Sequence, residues 1–352
     1  MAILKPHIAA LSAYKPPLDG RDPKRHMLLD FNERTLPLSE TIQQALIDYI
    51  RDGRMQMYPA YGNVEADIAR YAGVDADQLM ITNGSDQGID LIIRSACEAG
   101  SEAIVPAPSF AMYRQCAQIE NLTLVEPFYD FDSGFPTDEV IHAINKNTSV
   151  ICIANPNNPS GTVVSRADIE RILQAAEGIA VLVDECYFEY VGESVCDLIA
   201  QYPNLFITRT FSKTWGMPSL RLGYVMSNAN NIRALSCVRG PYDINQLAIV
   251  AIRSALAQPE LMQSYVDEVM QQSKPKLEAY LSSKQVRFWP SGANYLWAFP
   301  KNVDQVHKAL VQSNILVRPK ADADGVMGLR MTLGTLAQTD RLIEVLDSAL
   351  RS

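Results

Sequence analysis

Short apolar runs alternate with helix-like patterns between residues 75 and 227 of the chain. The runs predict strands at residues 79–82, 103–105, 150–154, 179–183, 205–208 and 223–226. Helices are predicted between them, among others at 87–98, 137–145 and 166–177, with Thr137 and Ser165 as N-terminal caps of the last two. Such alternation implies crossover connections and a mostly parallel sheet that is covered on both faces. We therefore predict an α/β fold.

The pattern changes after residue 228. Two long helical stretches are predicted at 245–257 and 259–282, followed by short strands at 295–299, 315–317 and 329–333 and a final helix. We predict a large domain over residues 31–240 and a smaller α/β domain over 241–352. Residues 1–30 are expected to form an N-terminal arm or part of the small domain.

Composition narrows the classes of partner. The chain has 352 residues, 47% of them hydrophobic and 20% charged, which is typical of a globular protein. Its formal net charge of -9 argues against nucleic acid or an anionic membrane as a partner. The six cysteines form no Cys-x-x-Cys pair, the four histidines are scattered, and residues 1–7 lack the apolar stretch of a signal peptide. We expect a cytoplasmic protein that binds no metal.

Three polar segments follow predicted strands directly. Residues 155–162 read Asn-Pro-Asn-Asn-Pro-Ser-Gly-Thr, Asp184 follows the run at 179–183, and Lys213 lies shortly after the strand at 205–208. Ligands of a parallel α/β sheet bind outside the carboxyl ends of its strands, so we expect these segments to meet at one rim. Taken singly, Asp184 could be a solvated acid or a helix cap, and Lys213 a surface lysine.

Together, the lysine and the carboxylate predict a site for pyridoxal phosphate. A lysine amine can bond to the aldehyde of this cofactor, and a carboxylate can keep its pyridine nitrogen protonated so that the ring accepts electrons. Tyr187 would add a phenol near the ring oxygen, and Tyr113 could stack on the ring or simply belong to the core.

Two further segments are suited to the phosphate. Ser212 precedes the lysine, and Arg221, eight residues after it, could bind two phosphate oxygens at once. The turn before the helix at 87–98 contains Gly84, and the free N–H groups of Ser85, Asp86 and Gln87 would form an anion site. Taken alone, this motif favours an ordinary capped turn.

The chain resembles the fold-type I, class-II-like aminotransferases, and within them the histidinol-phosphate aminotransferase family, over nearly its full length. The resemblance is carried by residues 10–14, 58–59, 83–87, 108–113, 155–162, 184–187, 212–224, 239–245, 293–295, 317–318 and 329–335. It implies a pyridoxal-phosphate-dependent transferase with a large domain, a smaller C-terminal domain and an N-terminal arm.

The resemblance also assigns roles to residues of this chain. It implies that Lys213 holds the cofactor, Asp184 pairs with the ring nitrogen, Asn157 and Tyr187 bond to the phenolic oxygen, and Tyr113 stacks on the ring. The residues that it implies around the cofactor phosphate are Ser85, Asp86, Thr210, Ser212, Arg221 and, from the other subunit of a homodimer with shared active sites, Tyr58. Those that it implies for the substrate are Tyr14, Asn32, Arg318 and Arg330.

The implied reaction transfers the amino group of histidinol phosphate to 2-oxoglutarate, in histidine biosynthesis, with Arg330 binding the carboxylate of the glutamate half-reaction. The segment at 30–37 departs from the usual Asn-Glu-Asn-Pro pattern, Gln87 replaces a commoner acid, and Trp215 and Pro218 make the loop after Lys213 bulky. These departures concern the substrate end of the site.

Other functions on the same scaffold remain open. A threonine-phosphate-type decarboxylase or a carbon–sulfur lyase would share most of these motifs. An aromatic amino acid aminotransferase is a further alternative, because Tyr14, Phe31, Tyr113 and Trp215 could line a pocket for a plain aromatic ring. A cofactor-binding regulator would need a DNA-binding segment, for which no basic stretch is seen.

Overall fold

The computed structural model describes residues 3–13 and 15–351, which fold around two sheets. The strands of this described part are β1 Met27–Leu29, β2 Leu79–Thr82, β3 Glu102–Ile104, β4 Thr123–Val125, β5 Thr148–Ala154, β6 Ala180–Asp184, β7 Leu205–Thr210, β8 Gly223–Met226, β9 Arg287–Phe288, β10 Tyr295–Phe299, β11 Ile315–Ala321 and β12 Met327–Thr332.

Helices cover both sheets. In the described part of the chain they are α1 Pro6–Ala9, α2 Glu40–Arg51, α3 Val64–Ala72, α4 Gly84–Ala96, α5 Ala111–Ile119, α6 Thr137–Ala143, α7 Arg166–Ala175, α8 Phe188–Val191, α9 Ala229–Val238, α10 Gln246–Leu256, α11 Pro259–Glu268, α12 Lys274–Ser283, α13 Val303–Gln312 and α14 Leu336–Arg351. None of these helices is both long and apolar enough to span a bilayer.

The large sheet has seven strands in the order β2-β8-β7-β6-β5-β3-β4. Strands β3 to β7 pair in parallel, whereas β8 is antiparallel to both β7 and β2. The predicted α/β class with a mostly parallel sheet is therefore confirmed. Because β8 reverses direction, residues 211–222 leave the end of β7 and re-enter the sheet at the same rim, and this loop carries Lys213 and Arg221.

Several helices and strands of the structure differ from those predicted from the sequence. Helix α4 begins at Gly84 rather than at residue 87, so Ser85 to Gln87 lie in its first turn. Strand β4 was not predicted. It is only three residues long and partly exposed, so its sequence lacks a distinct apolar run. Ser165 caps α7 by accepting a hydrogen bond from the Asp168 N–H, as predicted. Thr137 is instead the first residue of α6, with Pro136 before it and no side-chain cap.

The small sheet has the order β1-β11-β12-β10-β9 and is antiparallel except for the parallel pair of β1 and β11. Residues 27–29 thus join the C-terminal strands. The helix predicted at 259–282 is continuous but contains a π-helical turn, Val269–Ser273, before Pro275. Proline has no N–H to donate to the preceding turn, which favours this local widening. One hydrophobic cluster includes residues of both sheets, so the two are packed together.

A buried ion pair ties the ends of the two central strands together. Arg209 of β7 donates from Nε to Oε2 of Glu185, the residue after β6, at 2.9 Å, and the two side chains are only 2% and 1% exposed. Glu185 also accepts from Ser194 and from the Val195 N–H. Successive side chains of a strand point to opposite faces, so this pair lies behind Asp184. It holds the strand end that bears the predicted cofactor carboxylate.

Replacement of Arg209 by methionine is expected to lower the free energy of unfolding by about 3–5 kcal/mol, because it leaves the Glu185 carboxylate buried without its cation. Urea unfolding at fixed protein concentration measures the change. Arg171→Met is the matched control, since Arg171 pairs with Asp138 and Asp168 at the surface, where ion pairs contribute about 0–1 kcal/mol. Equal losses in the two variants would contradict a structural role for the buried pair.

Candidate active site

A cavity of about 250 Å³ opens at the rim of the large sheet. Most of the residues predicted from the sequence to surround the cofactor line it: Ser85, Asp86, Tyr113, Asp184, Tyr187, Thr210, Ser212, Lys213 and Arg221. Phe31, Glu33 and Asn158 line it as well. The ends of β6 and β7, the first turn of α4 and the loop before β8 therefore converge as the parallel topology requires.

Asp184 is the last residue of β6 and is 5% exposed. Its carboxylate accepts hydrogen bonds from the Thr208 hydroxyl at 3.0 Å and from the Tyr113 hydroxyl at 2.5 Å. Burial raises the pKa of the Asp184 carboxyl, although hydrogen bonds from Cys186, Tyr113 and Thr208 oppose the rise. No cationic side chain of the described residues lies within ion-pair distance of it. A cationic ring nitrogen would supply the missing charge.

Lys213 lies across the same cavity. Its Nζ donates to the Phe31 carbonyl at 3.1 Å and lies 5.8 Å from the centre of the Tyr187 ring. The loop behind it is anchored: Thr214 and Trp215 are buried, and Arg34 donates to the Thr214 carbonyl at 3.0 Å. The amine is thus presented on a fixed backbone, with a neutral acceptor that a ligand can displace.

The third part of the cavity carries hydroxyls, free N–H groups and a guanidinium. Thr210 donates to Ser212 between hydroxyls at 2.9 Å, and Arg221 donates to Asp86 at 2.9 Å. Helix α4 begins at Gly84, whose φ is +71°, and a Cβ there would lie 2.5 Å from Nη2 of Arg221. A glycine is needed at this close approach. The unpaired N–H groups of the first turn then face the same region as Arg221.

The prediction for Asn157 is corrected by the structure. Asn157 is completely buried, and its amide is used within the loop: it donates to the Pro108 carbonyl and to Ser160, and accepts from Ser109 at 2.8 Å. The next residue, Asn158, lines the cavity instead and accepts from Nη1 of Arg330 at 2.5 Å. Two adjacent asparagines cannot be told apart by residue type, so the pattern of the sequence did not resolve them.

Asn32 does not line the cavity, contrary to its predicted contact with substrate. It is 1% exposed and donates to the Tyr187 hydroxyl at 3.0 Å, with its own backbone bonded to Thr332. Its φ of +55° lies in the left-handed region, which asparagine tolerates better than most residues. Asn32 therefore orients Tyr187 and does not itself reach into the pocket.

The side chains of Gln87 and Tyr58 do not line the cavity. The Gln87 side chain is held by the Asn83 N–H and by Asp243, so only its backbone N–H remains for an anion. Tyr58 is 78% exposed and packs on Tyr242 with 4.5 Å between ring centres, outside the cavity. Tyr14 lies outside the described residues.

Trp215 does not form the aromatic pocket wall that its sequence position allowed. It is buried against Tyr71 and Phe211, behind the loop that carries Lys213. Tyr113 does line the cavity, and its hydroxyl reaches Asp184, a contact that the sequence pattern did not indicate. Of the described residues that could line a pocket for an aromatic substrate ring, only Phe31 and Tyr113 therefore line the cavity.

The segment at 30–37 brings an unexpected ion-pair network to the cavity. Arg21 donates to Asp30 at 3.1 Å and also to Glu33, and its guanidinium lies 4.6 Å from the centre of the Phe31 ring. The network fixes the segment that carries Phe31 and Glu33. Arg21 belongs to none of the segments that carry the resemblance, so its role was not predicted.

Two arginines of the small sheet approach the cavity from the other side. Arg330 is buried and donates to Asn158 and to the Asp30 carbonyl, the latter at 2.7 Å. The Arg318 guanidinium lies 5.5 Å from the centre of the Phe31 ring. Both cations are thus in position to meet an anionic group that enters between the two sheets.

The residues present fit pyridoxal phosphate. A buried carboxylate with only neutral hydrogen-bond donors suits the ring nitrogen, a lysine with only a carbonyl acceptor suits the aldehyde, and a helix N-terminus with hydroxyls and Arg221 suits the phosphate. In the described residues, no group of three or more His, Cys, Asp or Glu side chains could hold a metal ion.

Comparison with known proteins identifies the relatives of the chain. Residues 24–346 match the family model of class I and II aminotransferases. The histidinol-phosphate aminotransferase of Thermoanaerobacter sp. is 31% identical over 92% of both chains, and that of Brevibacillus brevis is 32% identical over 97% of both. The crystal structure of histidinol-phosphate aminotransferase from Sinorhizobium meliloti, in complex with pyridoxal-5'-phosphate, has a TM-score of 0.89 at 20% identity and covers 100% of this chain and 98% of its own.

The two asparagines can be separated by substitution. Asn158→Ala is expected to weaken pyridoxal phosphate binding about tenfold, the loss of one hydrogen bond in a closed site, with little change in the thermal unfolding temperature of the apoprotein. Asn157→Ala should lower that unfolding temperature by several degrees, because it removes three buried hydrogen bonds. Cofactor titration and thermal unfolding measure the two effects. The reverse pattern would restore the original assignment to Asn157.

Proposed function

The chain belongs to the aminotransferase class I and II family, and from this membership we propose that it transfers the amino group of histidinol phosphate to 2-oxoglutarate, with pyridoxal phosphate as its cofactor. The observation that carries the proposal is the pair of Asp184 and Lys213 in one cavity, beside two arginines of the small sheet. The matched relatives named for this activity extend over almost the whole chain.

The bound cofactor supplies an aldehyde that bonds to amines and a ring that withdraws electrons from the Cα of the substrate. Asp184 would keep the ring nitrogen protonated, because a buried carboxylate without a cationic side chain beside it favours a proton on its neighbour. Asn32 donates to the Tyr187 hydroxyl, and Tyr187 and Asn158, which both line the cavity, would donate to the phenolic oxygen of the cofactor. The phosphate of the cofactor would be bound by the hydroxyls of Ser85, Thr210 and Ser212, by the first turn of α4 and by Arg221.

Lys213 has two roles in this proposal. Its amine would hold the aldehyde of the cofactor and, when free, would move the proton at the substrate Cα. The amine needs freedom to leave its first position, and its hydrogen bond to a single backbone carbonyl allows this. Its partly enclosed setting limits access of water to the reacting carbon.

Arg330 binds the anionic end of the substrate. Its guanidinium is held in place by Asn158 and the Asp30 carbonyl, so it is preorganised for a carboxylate of glutamate or 2-oxoglutarate. In the other half-reaction Arg330, Arg318 and Tyr14 bind the phosphate of histidinol phosphate. The same anion site then serves both substrates in turn.

We further propose a homodimer in which Tyr58 reaches the cofactor phosphate of the partner subunit. Its support is the exposure of Met55, Met57, Tyr58 and Tyr242, large apolar side chains that are clustered in sequence or in direct contact. A cytoplasmic location is proposed as well, in keeping with six free cysteines.

A half-reaction screen tests the function. Histidinol phosphate added to the cofactor-loaded enzyme without an acceptor should bleach its visible absorption, and 2-oxoglutarate should restore the colour with formation of glutamate. Phenylalanine and tyrosine should react at least tenfold more slowly, because they lack a dianionic group for the arginines. Lys213→Ala is the control and should show neither bleaching nor covalent cofactor after borohydride reduction.

Two results would contradict the proposal. Rapid bleaching by phenylalanine or tyrosine, with none by histidinol phosphate, would assign an aromatic aminotransferase on the same mechanism. Release of carbon dioxide or sulfide without formation of glutamate would assign a lyase.

A further inference from the structure

A third cation lies beside the two arginines of the small sheet. Arg318 of β11 is paired in register with Arg330 of β12, and Lys320 of β11 is paired with Gly328. Residues two apart on a strand share a face, so Arg318, Lys320 and Arg330 project from the same side of the sheet. This is the side that meets the cavity, because Arg330 donates to Asn158. We call these three residues the cationic face.

Two members of the cationic face, Lys320 and Arg318, lack an acidic partner in the described residues. In the described part of the chain no carboxylate lies within ion-pair distance of Lys320 or Arg318. Asp322, the residue directly after β11, accepts from Trp289 Nε1 at 3.1 Å and from the Ala323 N–H at 2.8 Å, and pairs with Arg287 at 3.5 Å. Arg330 itself is held by Asn158 and by the Asp30 carbonyl.

The surroundings of Lys320 make this charge costly. Burial, followed by repulsion from Arg330 and Arg318, lowers the pKa of the Lys320 amine to about 8. The burial has a local cause: Gly328, opposite Lys320, has no side chain, so the rings of Trp297 and Phe299 lie over it. A Cβ at residue 328 would come within 2.8 Å of both rings. The rings form an apolar wall beside the lysine.

The wall also contains an unsatisfied donor. Trp297 is fully buried, and its indole Nε1 has no hydrogen-bond partner in the described residues. The neighbouring Trp289, stacked at 6.2 Å and 11°, uses its own Nε1 to bind Asp322. Buried indole N–H groups normally have a partner, so the one beside the cationic face indicates that an acceptor belongs there.

We propose that Lys320 is a specificity-determining residue that binds the phosphate of the substrate together with Arg318 and Arg330. The inference rests on the proposed function and extends it to a residue outside the motifs. A carboxylate attached directly to Cα carries one negative charge and is matched by Arg330. A phosphate monoester carries up to two charges and three terminal oxygens and reaches farther from Cα, so a third cation next to the arginines favours it over a carboxylate.

The test compares Lys320→Gln with Lys308→Gln in the cofactor-loaded enzyme. Lys308 is an exposed lysine of α13. Its replacement by glutamine removes the same charge from the chain but leaves the cationic face unchanged. Lys320→Gln should raise the KM for histidinol phosphate about tenfold, the usual effect of losing one charge-assisted hydrogen bond, and change kcat and the KM for glutamate less than twofold. Lys308→Gln should leave all of these constants unchanged, and Lys320→Arg should retain most of the affinity.

Inhibition by inorganic phosphate is a second measurement, and it does not depend on histidinol phosphate being a substrate. In the loaded enzyme the cofactor phosphate fills its own pocket, so added phosphate should inhibit the glutamate half-reaction at the cationic face. Its inhibition constant should rise severalfold in Lys320→Gln and stay constant in Lys308→Gln. Thermal unfolding of each variant establishes that it remains folded.

The outcomes separate this inference from the proposed function. If histidinol phosphate is not converted but Lys320→Gln alone weakens inhibition by phosphate, the function fails and the phosphate subsite stands. If histidinol phosphate is a good substrate and the two glutamine variants behave alike, the function stands and the role of Lys320 is overturned. Absence of phosphate inhibition in the unmodified enzyme also overturns it.

Discussion

The carboxylate of Asp184 is buried at the end of a central strand with neutral hydrogen-bond donors as its partners in the described residues. Burying an ionised carboxylate is costly unless a positive charge accompanies it, and the raised pKa of Asp184 expresses that cost. In the proposed function the ring nitrogen of the cofactor would supply the positive charge that this carboxylate lacks. On the opposite face of the strand, Glu185 forms an ion pair with Arg209. The two adjacent acids therefore differ: a side chain of the protein neutralises Glu185, whereas no cationic side chain of the described residues neutralises Asp184.

The topology brings the amine to this carboxylate. A strictly parallel connection after β7 would carry the chain across the sheet through a helix and away from the rim. Strand β8 instead runs antiparallel, and the loop between the two strands stays at the rim with Lys213 near one end and Arg221 near the other. The same reversal brings Arg221 against Gly84, at the start of α4. A single change of strand direction thus explains why Lys213 and Arg221, the residues proposed for the aldehyde and the phosphate, lie in one loop.

Much of this arrangement could be predicted from the sequence, and the reasons for the failures are physical. The α/β class follows from the alternation of apolar runs, and residues that follow such runs converge because parallel strands end at one rim. Asn157 and Asn32 were misassigned because the Asn157 side chain bonds to the Pro108 carbonyl and the Asn32 side chain orients Tyr187, which residue type does not reveal. The inward packing of Trp215 depends on Tyr71, more than a hundred residues away in sequence. Lys320 was missed because its role depends on cross-strand register, and its strand was predicted to end at residue 317.

The most direct test of the pairing between Asp184 and the cofactor is the protonation state of the ring nitrogen. Enzyme reconstituted with pyridoxal phosphate labelled with ¹⁵N in the ring should give the chemical shift of a protonated nitrogen at neutral pH. Asp184→Asn, with a side chain of nearly equal size and no charge, should give the shift of an unprotonated nitrogen while the cofactor stays bound to Lys213. Identical shifts in the two proteins, or an unprotonated nitrogen in the unmodified enzyme, would contradict the pairing.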